Sequence, residues 1–199
     1  MIYRIFICFI ISVSFLFAED QTESARKTLR KSVEFYRKHV ATEGGYLWKY
    51  SADLSLREGE NVADAQTVWV QPPGTPTIGL TLLKAYRVTG DTYYLDAARE
   101  AGNCLLRGQL RSGGWTYSIY FDEERRRKHS YRVDPVRSSK SIKNISTLDD
   151  NTTQSAIAFL MELDEALEFS DKMIHEAALY ALERLRETHV PNGAFPLAV

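Results

Sequence analysis

Three stretches of the chain, "EGGYLWKY" from Glu43, "SGGWTYSIYF" from Ser112 and "NGAFPLAV" from Asn192, place small residues ahead of an aromatic where a helix-period segment stops. Gly45, Gly114 and Gly193 recur at a spacing of roughly 70 to 80 residues, and such self-similarity implies stacked supersecondary units. The segments between the stops have room for two helices each, so the unit is a helical hairpin. Its Gly-aromatic loops then gather at one end. The expected fold class is all-α: an incomplete α/α toroid, with a concave α-solenoid as the other arrangement of the same hairpins.

Five helices carry this expectation. Apolar residues at Ala25, Leu29, Val33, Tyr36 and Val40 mark one helical face between Thr22 and Val40. A second helix starts at Thr75 or Thr77, either of which could cap it, and "TGD" from Thr89 ends it near Val88. A third, "TYYLDAAREAGNCLLRGQL", runs on to Gly113-Gly114. The fourth opens at Asp149-Asp150 and reaches Leu167. The fifth spans Lys172 to Thr188 and stops at Pro191-Asn192-Gly193. Pro72, Pro73 and Pro76 read as a stiff lead-in to the second helix.

The amino terminus, "MIYRIFICFIISVSFLFAED", has one arginine before an apolar run from Ile5 to Phe17 and a small residue at Ala18. That run is shorter than the roughly 20 residues of a membrane span, so residues 1–18 read as a signal peptide and 19–199 as one domain. A secreted or periplasmic monomer is expected, clear of the membrane once the signal is cleaved. With 25 basic and 26 acidic residues the net charge is −1, which supports no nucleic-acid partner. Cys8 lies in the signal, so Cys104 would be the mature chain's one thiol, and its apolar neighbours suggest a buried, inert group.

Candidate chemistry falls in the loops. Tyr46, Trp48 and Tyr50 in one loop and Trp115, Tyr117, Tyr120 and Phe121 in another offer flat faces on which sugar rings stack, although the same aromatics would serve as core, and Trp69 and Gln71 read as cavity-wall residues. The run from Asp122 to Lys143 is strongly basic and reads either as a solvated loop or as a guide for a polyanion. Asp149 and Asp150 could cap the fourth helix, which takes only one acid. With Asn151, Thr152 and Gln154 they also make an oxygen-rich patch of the kind calcium prefers, short of a full cage. Asp53, Asp64, Asp122 and Asp149 keep open a two-carboxylate hydrolase.

Taken in order, "VWVQPPGTPTIGLTLLKAYRVTGDTYYLDAAREAG", "GQLRSGGW", "TLDDNTTQSAIAFLM" and "NGAFP" resemble the α/α-toroid pectate lyases of polysaccharide lyase family ten. The resemblance implies calcium-assisted β-elimination of polygalacturonate, an acidic polysaccharide. It implies that the Gly113-Gly114-Trp115 loop borders the substrate cleft and that Asp149 and Asp150 match the acidic helix start associated with calcium and substrate. Joined to the loop aromatics and cavity wall, this makes Trp69, Gln71, Trp115, Tyr117 and Asn151 the expected substrate contacts and Asp149 and Asp150 the expected metal contacts. The family's base is an arginine on a later segment, and no position here matches it. The chain is therefore expected to be the amino-terminal portion of a longer domain. The other functional expectations are a non-catalytic uronate-binding helical-repeat protein and an α/α-toroid glycoside hydrolase.

Overall fold

The computed structural model describes residues 21–137, 139, 141–188 and 195–199. The segment read as a signal, and the stop at Pro191-Asn192-Gly193, lie outside them. The chain divides into two compact units, residues 1–39 and 40–199. Residues 21–35 of the first form α1, and a π-helix over Tyr36–Val40 continues it to the first residue of the second. Ion pairs one turn apart, Lys27 with Glu23 and Arg30 with Glu34, line its surface. No helix among the described residues is long and apolar enough to cross a membrane.

Among the described residues the second unit carries the helical hairpins and, contrary to the all-α expectation, five strands. Strands β1 (Lys49–Tyr50), β2 (Arg57–Glu58) and β3 (Val62–Ala63) form an antiparallel sheet in that order, with Lys49 opposite Glu58 and Arg57 opposite Ala63. Strand β4 (Thr67–Trp69) pairs with β5 (Ser118–Tyr120), Val68 facing Ile119. These two sheets overturn the all-α class, and with it the all-α incomplete toroid. The reason is physical. Thr67, Val68 and Trp69 are β-formers that bury both faces, yet their partner is distant in sequence and three residues show no legible alternation.

The helices follow local signals more closely. Helix α2 (Thr75–Thr89) ends where Gly90 turns left-handed at φ 72°, its N–H bonding the Tyr86 carbonyl. Asp91 then caps α3 (Thr92–Gly108) by accepting from the Tyr93 N–H. Short α4 (Glu123–Arg126) follows β5 and is capped by Asp122. Helix α5 (Thr152–Ala166) follows a 3₁₀ turn at Asp149–Asn151, and α6 (Lys172–Glu187) is capped by Asp171. The expected threonine cap on α2 does not form. Gly74 holds the N-cap position, and the Thr75 hydroxyl instead bonds the Tyr46 backbone.

Helices α2, α3, α5 and α6 close on one another through small residues. Ala97, Ala98 and Ala101 on α3, with Ala177, Ala178 and Ala181 on α6, are buried among Leu83, Leu105, Phe159, Leu160, Leu163 and Ile174. Gly79 lets α2 seat directly on the Phe159 ring, where a Cβ would come within 2.2 Å. Cys104 is buried as its neighbours implied, and burial pushes its thiol up to about 12.

Candidate functional site

Strand β4 delivers Trp69 and Gln71 to one edge of the helices. The Trp69 ring is buried, covers Gly59 so closely that any side chain there would collide with it, and meets Trp48 edge-on at a centroid distance of 6.0 Å. Its indole Nε1–H donates to Gln71 Oε1 at 3.1 Å, while the Trp48 indole donates to the Gln71 carbonyl at 2.9 Å. With Oε1 accepting, the Gln71 amide must present its nitrogen outward, and Nε2 donates to Asp150 Oδ2 at 3.0 Å. A nearly buried glutamine thus ties two tryptophans to a carboxylate 79 residues away. Trp69 also borders an open cleft of about 400 Å³ together with Asp64, Thr67, Tyr120 and Arg125.

The carboxylate pair is held differently from a cap. Asp150 and Asn151 both adopt left-handed backbone, at φ 51° and 59°. Left-handed conformation disfavours L-residues by roughly 1–2 kcal/mol each, less for Asp and Asn, so two in succession store strain in an exposed turn. The helix N-terminus is satisfied by backbone: the Thr152 N–H bonds the Asp149 carbonyl, and the Thr153 N–H the Thr147 carbonyl. Neither aspartate side chain caps α5, contrary to the capping expectation. Asp149 Oδ1 accepts from the Asp150 N–H at 3.0 Å, and both residues are exposed. Residues Leu197 to Val199 brace this turn, the Leu197 carbonyl accepting from the N–H groups of Leu148 and Asp149.

Tyr117 reaches the same place. Its hydroxyl stands 3.5 Å from Asp149 Oδ2, and its carbonyl accepts from the Val70 N–H at 2.7 Å, locking the two loops together. Desolvation and the negative charges of Asp149 and Asp150 raise the phenol above its usual value. Of the expected site residues, Trp69, Gln71, Tyr117, Asp149 and Asp150 therefore converge, and Asn151 is exposed beside them. Trp115 does not join them. It is fully buried, with its indole donating to the Leu105 carbonyl at 2.8 Å, so it is a core side chain on which the turn is built. Trp48, read only as a loop aromatic, proves to be a partner of Gln71, and no local sequence signal distinguishes it from Tyr46, which is core.

Asp149, Asp150 and the adjoining Asn151 are exposed residues with hard oxygen donors, the type calcium takes, and they are too few to enclose a cation by themselves. Among the described residues no group of three or more His, Cys, Asp or Glu stands ready to hold a metal. The other three candidate carboxylates, Asp53, Asp64 and Asp122, are occupied. Asp64 and Asp122 both bind Arg125 at 2.5 Å, and although desolvation opposes it, these bonds hold both carboxyls below their ordinary range. Hydrogen bonds from Ser51 and Ser55 lower Asp53 to about 2. None of the three has the raised pKa that a hydrolytic general acid needs.

The basic run is likewise largely spent within its own loop. Arg126 pairs with Asp134 at 2.9 Å, Arg127 with Glu123, and Lys128 with Glu124 at 2.9 Å. It is no continuous guide for a polyanion. Lys140 lies outside the described residues.

No protein-family model and no curated protein matches the chain. Among solved structures, the family 10 polysaccharide lyase from Cellvibrio cellulosa is similar over 88% of this chain and 52% of that one, at 18% identity and a TM-score of 0.52. A mutant of a family 10 polysaccharide lyase from the same organism, in complex with trigalacturonic acid, matches over 82% and 48% at 20% identity and a TM-score of 0.49. The chain thus spans about half the length of the solved chains it matches. The first likeness establishes a shared fold, and the relationship to family 10 is a distant one.

Proposed function

We propose that this chain belongs to a secreted or periplasmic protein that binds an acidic polysaccharide at the Asp149–Asp150 turn and takes part in its cleavage by β-elimination, with polygalacturonate as substrate. The observation that carries the reading is the Gln71–Asp150 bond, which ties a strained turn with two exposed carboxylates to a platform of tryptophans. The shared fold with a polysaccharide lyase agrees with it.

Each residue then has a physical role. Asp149 and Asp150, with Asn151, would hold calcium, whose chemistry there would be to neutralise a uronate carboxylate and stabilise the charge left when the C5 proton is removed. Gln71 keeps Asp150 from swinging toward the helix end. The Tyr117 hydroxyl, kept protonated by its acidic neighbours, donates a hydrogen bond to a sugar oxygen. Half-buried Trp48, steadied on Trp69, supplies apolar surface for a ring. Elimination removes the proton at C5 and breaks the C4–O bond, leaving an unsaturated uronate and a free hydroxyl. No residue of this chain is assigned as the base.

The test is polygalacturonate retention in affinity electrophoresis, with and without calcium, paired with ultraviolet detection of the unsaturated product. Calcium-dependent retention is expected, with loss of about tenfold or more in affinity in an Asp149→Asn, Asp150→Asn double variant. Retention indifferent to chelation, and equal in that variant, would sink the reading. Retention with no product from the complete protein would leave a uronate-binding protein without lyase activity.

A further inference from the structure

We propose that Arg111 and Arg132, carried on two segments bonded side by side next to Tyr180, form a second site for the carboxylate of an acidic sugar, sharing no residue with the Asp149–Asp150 turn. The identity of the ligand rests on the function proposed above. The site itself rests on how its cations are held.

In the loop after β5, Arg125, Arg126, Arg127 and Lys128 each meet a carboxylate. Arg111 and Arg132 do not. Arg111 donates to the Asp134 carbonyl at 2.5 Å and Arg132 to Gln109 Oε1 at 2.9 Å, both neutral acceptors, and among the described residues neither has an acid within ion-pair reach. Both are half-buried. Each guanidinium carries five N–H donors and commits one, so partly desolvated charge and a set of unused donors remain on each. Arg137 and Lys143, which also lack an acid among the described residues, differ in being exposed.

The anchors are rigid. Gln109 is buried, and its Nε2 donates to the carbonyls of Gly113 at 3.0 Å and Ala177 at 2.9 Å, which fixes Oε1 toward Arg132. Backbone bonds flanking the Leu110–Tyr131 bridge, Arg111 N–H to the Ser130 carbonyl and Arg132 N–H to the Gln109 carbonyl, hold the two arginine-bearing segments side by side. The Tyr180 hydroxyl donates to the Arg111 carbonyl at 2.6 Å, and its ring carries the Arg132 guanidinium at 4.5 Å and that of Arg184 at 5.3 Å. Arg184 is paired with Glu187, which leaves Arg111 and Arg132 as the uncompensated cations of the cluster. Pre-set planar forks of this kind match a carboxylate and lose little freedom on binding it.

The full chain in affinity gels with a calcium chelator isolates this site, because calcium at the acidic turn is then removed. Polygalacturonate is expected to retard the wild type, fully methyl-esterified pectin is not, and Arg111→Gln with Arg132→Gln weakens retardation about tenfold. Asp149→Asn with Asp150→Asn should bind at least as well as wild type. Should the double arginine variant misfold by circular dichroism, Arg184→Gln on the exposed face is expected to weaken retention two- to threefold, as the cluster's summed field predicts. Wild-type affinity in the arginine variants overturns the proposal, as does stronger retention by dextran sulfate than by polygalacturonate. Calcium-dependent retention without any in chelator removes this inference alone, whereas no retention under either condition removes the functional reading as well.

Discussion

Gln71 shows how much a single side chain can decide. Its oxygen is committed to Trp69 and its nitrogen to Asp150, so truncation leaves a buried indole N–H without an acceptor and frees the carboxylate. Gln71→Ala is expected to cost about 1–3 kcal/mol in urea unfolding and to weaken calcium-dependent polysaccharide retention as well. Asp149 and Asp150 should behave oppositely. Neither caps α5, so converting both to asparagine should leave the unfolding free energy within about 0.5 kcal/mol of wild type while weakening calcium-dependent retention about tenfold or more. A loss near 1 kcal/mol or more would mean that the acids stabilise the helix after all. That they are paired and stand before an apolar helix was legible in "TLDDNTTQSAIAFLM"; that backbone carbonyls relieve them of capping was not, because this depends on two left-handed residues in succession.

Among the elements, the helices were readable and the strands were not. Periodicity and breakers such as Gly90, Asp91 and Asp171 act within a few residues, so α2, α3 and α6 lie close to where the sequence places them. The third helix stops at Gly108 rather than at Gly113, since Gln109 turns extended to meet Arg132. Strands β4 and β5 exist because Thr67 faces Tyr120, a pairing without a local signal. Helix packing offers a direct test at Gly79. A methyl there would meet Phe159, so Gly79→Ala should destabilise by about 1–3 kcal/mol, and Phe159→Leu in the same chain should return part of the loss. Additive effects in that cycle would contradict the close approach.

At the scale of the whole molecule, Arg125 links distant parts of the second unit by bonding Asp64, Thr67 and Asp122. The folded pKa values of Asp64 and Asp122 lie below the ordinary carboxyl value, so their contribution to stability is present above about pH 4 and is lost as pH falls through the folded values. The urea midpoint should therefore hold steady from neutral to weakly acidic pH and drop below about pH 4. Arg125→Gln should flatten that acid limb, and a wild-type midpoint unchanged down to about pH 2 would refute the linkage. By itself the sequence determined the helices of the second unit, the burial of Cys104 and the residues with chemistry to offer, because periodicity, capping residues and side-chain type are properties of a few neighbouring positions. Only the tertiary structure decided that two sheets join the helices, that Trp115 is core while Trp48 and Trp69 share a platform, and that Asp150 answers to Gln71. Those outcomes depend on pairings between residues tens of positions apart, which no local pattern encodes.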